Sequence, residues 1–314
     1  MMVQGLFLIQ ELKEAKTQRG DPFIILTIAD KTGKIDIKFW NMPLTEFPHK
    51  VGEIVNMEII VEDYKGKTTG KIERTMPLDE KPFAPDFHKA SAHDPVEMWA
   101  EFYKFMGKFS SPYFTSVADD LFDPESTALF CEAPAATGMH HAFKHGLLEH
   151  TLQMLQCGEA LLNLPFFHEL NKDLCMFGIM FHDFGKIYEY SCEPGFKKKI
   201  QGLLVGHISM VSARVLEAAN KYGVPEMVRD HMMHVVLAHH RLKEWGSPVT
   251  FACPEAAFVH YVDNLHGDVF GIIQKREEAK EESISYGFGD QGTKILKESF
   301  NETLEKMKGV EGGF

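Results

Sequence analysis

Along the first quarter of the chain, apolar residues recur at every second position. Ile24, Leu26 and Ile28 alternate with Phe23, Ile25 and Thr27. Ile35, Ile37 and Phe39 alternate with Asp36, Lys38 and Trp40, and Val55, Met57, Ile59 and Val61 alternate with more polar neighbours. A period of two places successive side chains on opposite faces of a half-buried strand. Asp30-Lys31-Thr32-Gly33 and Asp63-Tyr64-Lys65-Gly66 have the composition of tight hairpin turns. With a first strand near Leu6–Leu12, the pattern predicts five short strands. A polar segment holding Pro43 and Pro48 separates the third strand from the fourth.

Five strands interrupted at that point predict an all-β, OB-like barrel over residues 1–77. Residues 78–92 contain Pro82 and Pro85 and little periodicity, and read as a linker. Beyond them the period lengthens and the signals become helical. Asp94-Pro95, Ser111-Pro112 and Asp123-Pro124 each set a capping side chain before a proline, and Glu97 stands where it would complete a capping box. Further helices are expected at about 137–162, 166–182, 203–222, 225–240 and 254–273, with Gly185 and Gly223 as C-terminal caps. The fold class is therefore multidomain: the barrel, then a mainly α-helical domain over 93–284, then a tail over 285–314 that the pattern does not classify.

Composition narrows the function. The chain has 314 residues, 44% of them hydrophobic, with 45 acidic and 33 basic side chains. That is enough apolar material for a substantial core, and it excludes a disordered tail, a collagen-like fibre and a protein that coats DNA with its whole surface. Residues 1–77 carry 11 basic and 11 acidic side chains, so the net charge of −12 lies entirely in the remainder. Five cysteines without a C-x-x-C pair suit a reducing cytoplasm. Met1-Met2-Val3-Gln4 opens no signal peptide, and no apolar run approaches membrane-spanning length. The expectation is a cytoplasmic protein with no membrane partner.

Of the 16 histidines, 13 fall between His140 and His266. Imidazole is the commonest metal ligand and the usual proton carrier near neutral pH. The central pair is His182-Asp183, at the end of a helix whose Leu174, Phe177 and Phe181 form a buried stripe. Altered backbone angles at a helix end let adjacent side chains face one site. His150, His207, His239-His240 and Asp263 stand on separate expected helices. Such imidazole and carboxylate mixtures suit manganese, iron, zinc or magnesium, and one carboxylate can bridge two ions. His231 and His234 share a helix face without a role, and His260 and His266, flanking Asp263, are expected to pack or to support it. Cys157 and Cys175 read as small core hydrophobes.

The order His150, His182-Asp183, Asp263 resembles the H…HD…D signature of HD-domain phosphohydrolases, and His207 with His239-His240 resembles their dinuclear branch. The segments His140-His141-Ala142-Phe143-Lys144-His145-Gly146-Leu147-Leu148-Glu149-His150-Thr151 and His239-His240-Arg241-Leu242-Lys243-Glu244-Trp245-Gly246-Ser247-Pro248, behind an OB-like barrel, are similar to the YhaM-type 3′→5′ exoribonucleases. Trp245-Gly246-Ser247-Pro248 stands where cyclic-di-GMP phosphodiesterases of the HD-GYP type have glycine-tyrosine-proline, and the HD-x-x-E-D pattern of alarmone hydrolases is missing.

The resemblance implies one divalent ion held by His150, His182, Asp183 and Asp263. It implies a second held by bridging Asp183, His207 and one or both of His239 and His240. Manganese is the ion it favours, with iron, cobalt, magnesium and zinc as others. Asp183 and Lys186 would be catalytic, Lys186 contacting substrate phosphate, and a metal-activated hydroxide would attack the terminal phosphodiester of single-stranded RNA, with single-stranded DNA as a further substrate. In the barrel, Lys38, Trp40, Tyr64 and Lys65 are the expected nucleic-acid contacts, with Lys16 and Arg19 in the neighbouring loop. Two rivals are a phosphohydrolase of small or cyclic nucleotides and a non-catalytic RNA-binding module with a structural metal. Oligomeric state, including a homo-oligomer, stays open.

Overall fold

The first strand, β1 (Met2–Lys16), is long enough to serve two neighbours. Its first half pairs antiparallel with β4 (Ile54–Tyr64) and its second half with β2 (Pro22–Asp30), with a register shift between Ile9 and Glu11. Such a bulge bends and twists the strand, which lets one strand turn a barrel corner. β2 pairs with β3 (Gly33–Trp40), β3 runs parallel to β5 (Lys67–Met76) through Ile37↔Gly70 and Lys38↔Lys71, and β5 returns to β4. The order β1-β2-β3-β5-β4 closes on itself, the barrel that the alternation predicts. These descriptions come from a computed structural model, which describes residues 1–30, 33–64, 67–76, 90–136, 143–191, 196–278, 283–286, 293–296, 298–302 and 304.

Ile24, Leu26, Ile28, Ile37, Val55, Met57 and Ile59 fill the barrel, as the period of two requires. Two details differ from expectation. β1 extends well beyond Leu6–Leu12 at both ends. The β4–β5 turn is shifted by one residue, since Tyr64 pairs with Lys67 around residues 65–66. The proline-containing segment between β3 and β4 makes a short 3-10 turn at Leu44–Glu46. Most of the expected linker, 78–89, lies outside the described residues.

The helical part begins with α1 (Pro95–Met106), α2 (Pro112–Leu121) and α3 (Pro124–Glu132). The Asp94 carboxylate accepts from the N–H groups of Val96 and Glu97, and that of Asp123 from Ser126, as their position before proline predicts. Ser111 does not cap with its hydroxyl. Instead Asp173 accepts the N–H groups of both Ser110 and Ser111, a carboxylate reaching from another helix to the positive end of α2.

α4 (Gly146–Leu162) starts later than the expected 137, and residues 137–142 lie outside the described set. The stretch expected as one helix from 166 is divided into a 3-10 turn at Pro165–Phe167 and α5 (Lys172–Phe181). Asn171 restarts it, its side chain accepting from Leu174 N–H at 2.9 Å. α6 (Lys186–Glu189) and α7 (Ile200–Leu204) are short. Gly206, at φ +76°, breaks the expected 203–222 helix before α8 (His207–Lys221). Gly223 closes α8 at φ +62°: its N–H bonds Asn220 O and that of Val224 bonds Ala219 O, a Schellman pair.

α9 (Glu226–Leu237) and α10 (Pro254–Glu278) follow. α5 is central, packing against α4, α9 and α10 in a core rich in phenylalanine. β6 (Ser283–Tyr286) and β7 (Thr293–Leu296) form a small antiparallel pair, and the boundary expected at 284 falls inside β6. Among the described residues, no helix is long and apolar enough to cross a membrane.

Candidate metal centre

His182 closes α5 and Asp183 begins the turn that follows it. Phe184, fully buried, anchors this turn among Phe122, Phe130 and Phe181, with ring centroids 5.0–5.9 Å away. Gly185 was expected to cap a helix end in a left-handed conformation. It has φ −60° and precedes α6 instead. What requires glycine there is proximity: an added Cβ would lie 2.1 Å from the backbone oxygen of His207. The His-Asp turn is thus wedged between the aromatic core and the start of α8.

Two groups of side chains converge beside this turn. His150 from α4, His182 and Asp263 from α10 form one; Asp183, His207 from α8, and the consecutive His239 and His240 after α9 form the other. Within each group the candidate ligand atoms lie within 4.8 Å of one another. The two groups adjoin. Asp183 Oδ2 is 3.3 Å from His182 Nε2, while Asp183 Oδ1 is 3.4 Å from His207 Nε2 and 3.9 Å from His239 Nε2. His150 Nε2 lies 3.3 Å from His182 Nε2 and 3.4 Å from Asp263 Oδ1.

The outward nitrogens explain how each ring is oriented. Carbonyl and carboxylate oxygens can only accept, so a ring nitrogen bonded to one must carry the proton. His182 Nδ1 donates to Ile179 O at 2.8 Å, His239 Nδ1 to Val236 O at 2.7 Å and His240 Nδ1 to Trp245 O at 2.6 Å. His207 Nδ1 donates to Glu189 Oε2 at 2.7 Å. For His150 the acceptor is another imidazole: Gln153 Oε1 accepts from His266 Nε2 at 2.7 Å, leaving His266 Nδ1 to accept from His150 Nδ1 at 3.0 Å. Every ring therefore turns its Nε2 inward, the orientation that outer partners impose on metal-binding histidines.

Asp183 Oδ1, His207 Nε2 and His239 Nε2 are buried and have no hydrogen-bond partner among the described residues. Leaving three such atoms unmatched side by side is costly in a folded core. A cation would satisfy all three, so the donor set fits a divalent metal.

Both carboxylates and the His239-His240 pair shift in the direction that ligation asks for, whereas Asp183 and Asp263 outweigh burial and raise His182. Burial opposes ionisation of Asp183, yet Lys186 and the imidazoles of His182 and His207 outweigh it and hold the carboxyl well below its usual range. Asp263 is likewise lowered against burial, by His150 and His182. Burial, with the neighbouring His240 and His182, pushes His239 well below the ordinary imidazole value, and burial lowers His240 as well. Lys186 reaches the site: Nζ donates to Asp183 Oδ2 and to Ala135 O, each at 2.6 Å.

All seven expected metal-site residues thus meet, and the pair that the sequence left unresolved, His239 and His240, stands together in one group. Glu189 and Gln153 belong to the arrangement without having been singled out. Neither lies in a recognisable motif, and only the fold brings them beside His207 and His266. His266 stands behind His150 rather than Asp263, and His260 donates Nδ1–H to His239 O at 2.6 Å.

On the barrel, Trp40 is 43% exposed, with the Phe23 ring 4.7 Å away and Lys38 Nζ 5.3 Å from its ring centre. The register Phe23↔Trp40 and Ile25↔Lys38 sets these residues on the face opposite the barrel core. Tyr64 ends β4 beside the β4–β5 turn, and the expected contact Lys65 lies outside the described residues.

Residues 147–268 match the HD domain family. The chain is 33% identical to the 3′-5′ exoribonuclease YhaM of Halalkalibacterium halodurans, over 84% of this chain and 82% of that protein. It is 32% identical to the protein of the same name from Shouchella clausii, over 85% and 84%, and 29% identical to that of Bacillus subtilis, over 88% of each.

Proposed function

The chain belongs to the YhaM family of 3′→5′ exoribonucleases, and from that premise we propose that it hydrolyses single-stranded RNA, and single-stranded DNA as a second substrate, one nucleotide at a time from the 3′ end. The observation that carries this reading is the trio of buried atoms without partners, Asp183 Oδ1, His207 Nε2 and His239 Nε2, beside the group of His150, His182 and Asp263. HD domains are metal-dependent, and the residues here would hold two divalent ions, manganese first. His150, His182, Asp183 and Asp263 would hold one, and Asp183, His207, His239 and His240 the other. Bound there, such ions supply Lewis acidity toward a phosphodiester and toward the attacking water.

The protein's own groups do the rest. The outer acceptors Ile179 O, Val236 O, Trp245 O and Glu189 keep the imidazoles in the tautomer that binds cations. The Lys186 ammonium, now paired with Asp183, offsets charge that gathers on a non-bridging phosphate oxygen during displacement. Residues 1–77 hold the strand, with Trp40 and Lys38 stacking a base and following phosphates and Tyr64 and Lys65 contacting it at the β4–β5 turn, and residues 93–284 cut it. The products are nucleoside 5′-monophosphates, and the reaction belongs to the cytoplasm.

The test is an RNA labelled at its 5′ end, incubated with manganese. A ladder that shortens from the 3′ end, stops with chelator and vanishes in Asp183→Asn is the expected result. Internal cuts, or shortening that chelator leaves untouched, would overturn the reading.

A further inference from the structure

Trp245 is 56% exposed, although an indole is among the side chains that gain most from burial. It is also held in place. Its carbonyl accepts the Nδ1 proton of His240 at 2.6 Å, so the indole rides on the short segment that orients a candidate ligand. Trp245 N–H bonds Leu242 O, and the segment turns at Gly246 with φ +100° and at Arg241 with φ +67°. A non-glycine residue held at positive φ marks a position where the surroundings override backbone preference, as at many functional sites. Beneath the indole lies the buried ring of His260, tilted by only 23° with centroids 6.4 Å apart, and His260 in turn bonds His239 O. Beside it Tyr261 is 54% exposed, its hydroxyl accepting from Arg241 Nη1 at 3.3 Å.

Trp245 is thus fixed beside the His239-His240 pair by the bond from His240 to its carbonyl, and its flat aromatic face lies near the His260 ring that bonds His239 O. Aromatic faces bind unpaired nucleobases by stacking, with little regard to which base is offered. We infer that Trp245 is the platform on which the base of the 3′-terminal nucleotide stacks while its phosphodiester lies at the cage. This rests on the ribonuclease reading above and adds a positioning subsite to it. Removal of the indole would weaken capture of a terminal nucleotide that has a base, and would do so for all four bases.

Two RNAs differing only in their last residue provide the test, one ending in an ordinary nucleotide and one in an abasic nucleotide. In the wild type, kcat/KM for the base-bearing end should exceed that for the abasic end by roughly 5- to 150-fold, the range for one stacked base. In Trp245→Leu, which stays apolar but has no π face, that ratio should collapse towards one, and Trp245→Phe should restore part of it. Manganese affinity of the variants, measured calorimetrically, should match the wild type. Equal losses on both RNAs together with weakened manganese binding would mean that the residue acts only through His240, and would sink the proposal. So would an unchanged ratio accompanied by a changed oligomeric mass, which would assign the indole to a contact between copies. If the wild type shortened neither RNA, the ribonuclease reading itself would fall first.

Discussion

His207 and Glu189 are joined twice through one oxygen: Glu189 Oε2 accepts the backbone N–H of His207 at 2.9 Å and its Nδ1 proton at 2.7 Å. Glu189 is only 2% exposed, and its other oxygen pairs with Lys198. Burial pushes this carboxyl up, but the bonds from His207 and Lys198 outweigh it and bring it down to about 2. One carboxylate therefore fixes both the start of α8 and the tautomer of its first imidazole. Replacement of outer partners of this kind weakens metal binding by about 10- to 100-fold. Glu189→Ala should show a loss of that size in calorimetric titration with manganese, and Glu189→Gln, which keeps an acceptor, a smaller one. Unchanged affinity in Glu189→Ala would show that His207 is not a ligand.

Gly185→Ala tests the wedge between the His-Asp turn and α8. A Cβ there would meet backbone rather than a yielding side chain tip, so the turn or the helix must move. Overpacking of this kind costs about 1–3 kcal/mol. Denaturant titration of the metal-free protein should show the loss, and manganese affinity should fall with it, because both His182-Asp183 and His207 are displaced.

His234 supplies a pH dependence separate from the cage. Its Nε2 accepts the N–H of Ala252 at 2.9 Å, which an imidazolium could not do. Burial, reinforced by the neighbouring His231, lowers its pKa below the ordinary imidazole value. The unfolded chain therefore takes up this proton more readily than the folded one. The stabilising contribution is complete above about pH 6.5 and is lost as the pH falls through the folded value. His234→Gln, which can accept but cannot titrate, should flatten stability between pH 7 and 5 by up to about 1 kcal/mol, after allowance for solvent at a part-exposed ring. Parallel urea titrations at both pH values would reveal an identical slope if this account is wrong.

Trp40→Ala probes the barrel. Loss of the indole should weaken binding of a single-stranded oligonucleotide by about 1–3 kcal/mol, the cost of one unstacked base, and should raise KM more than it lowers kcat. Fluorescence anisotropy with catalysis suppressed by chelator would measure the binding part. An equal fall in kcat with no change in affinity would move Trp40 from strand capture to some other task.

Much of the molecule was legible in the chain itself. Local periodicity settled that the barrel residues alternate inward and outward and that helices follow, because a period of two or 3.6 depends only on near neighbours. The capping roles of Asp94, Asp123 and Gly223 were equally local. Helix breaks at Asn171 and Gly206 were less visible, because the apolar pattern runs on across a short interruption. The candidate ligands could be named from residue types and order, but their meeting could not. His150 on α4 and Asp263 on α10 are separated by five intervening helices, α5 to α9, and only the packing of α4 and α10 against each other and against α5 sets them together. The tautomer of each imidazole, the part taken by Glu189, and the choice that Gly185 serves close approach rather than a left-handed cap were all decided by tertiary contacts. Hydrogen bonds between residues far apart in sequence leave no periodic trace along the chain, so those decisions belong to the folded structure alone.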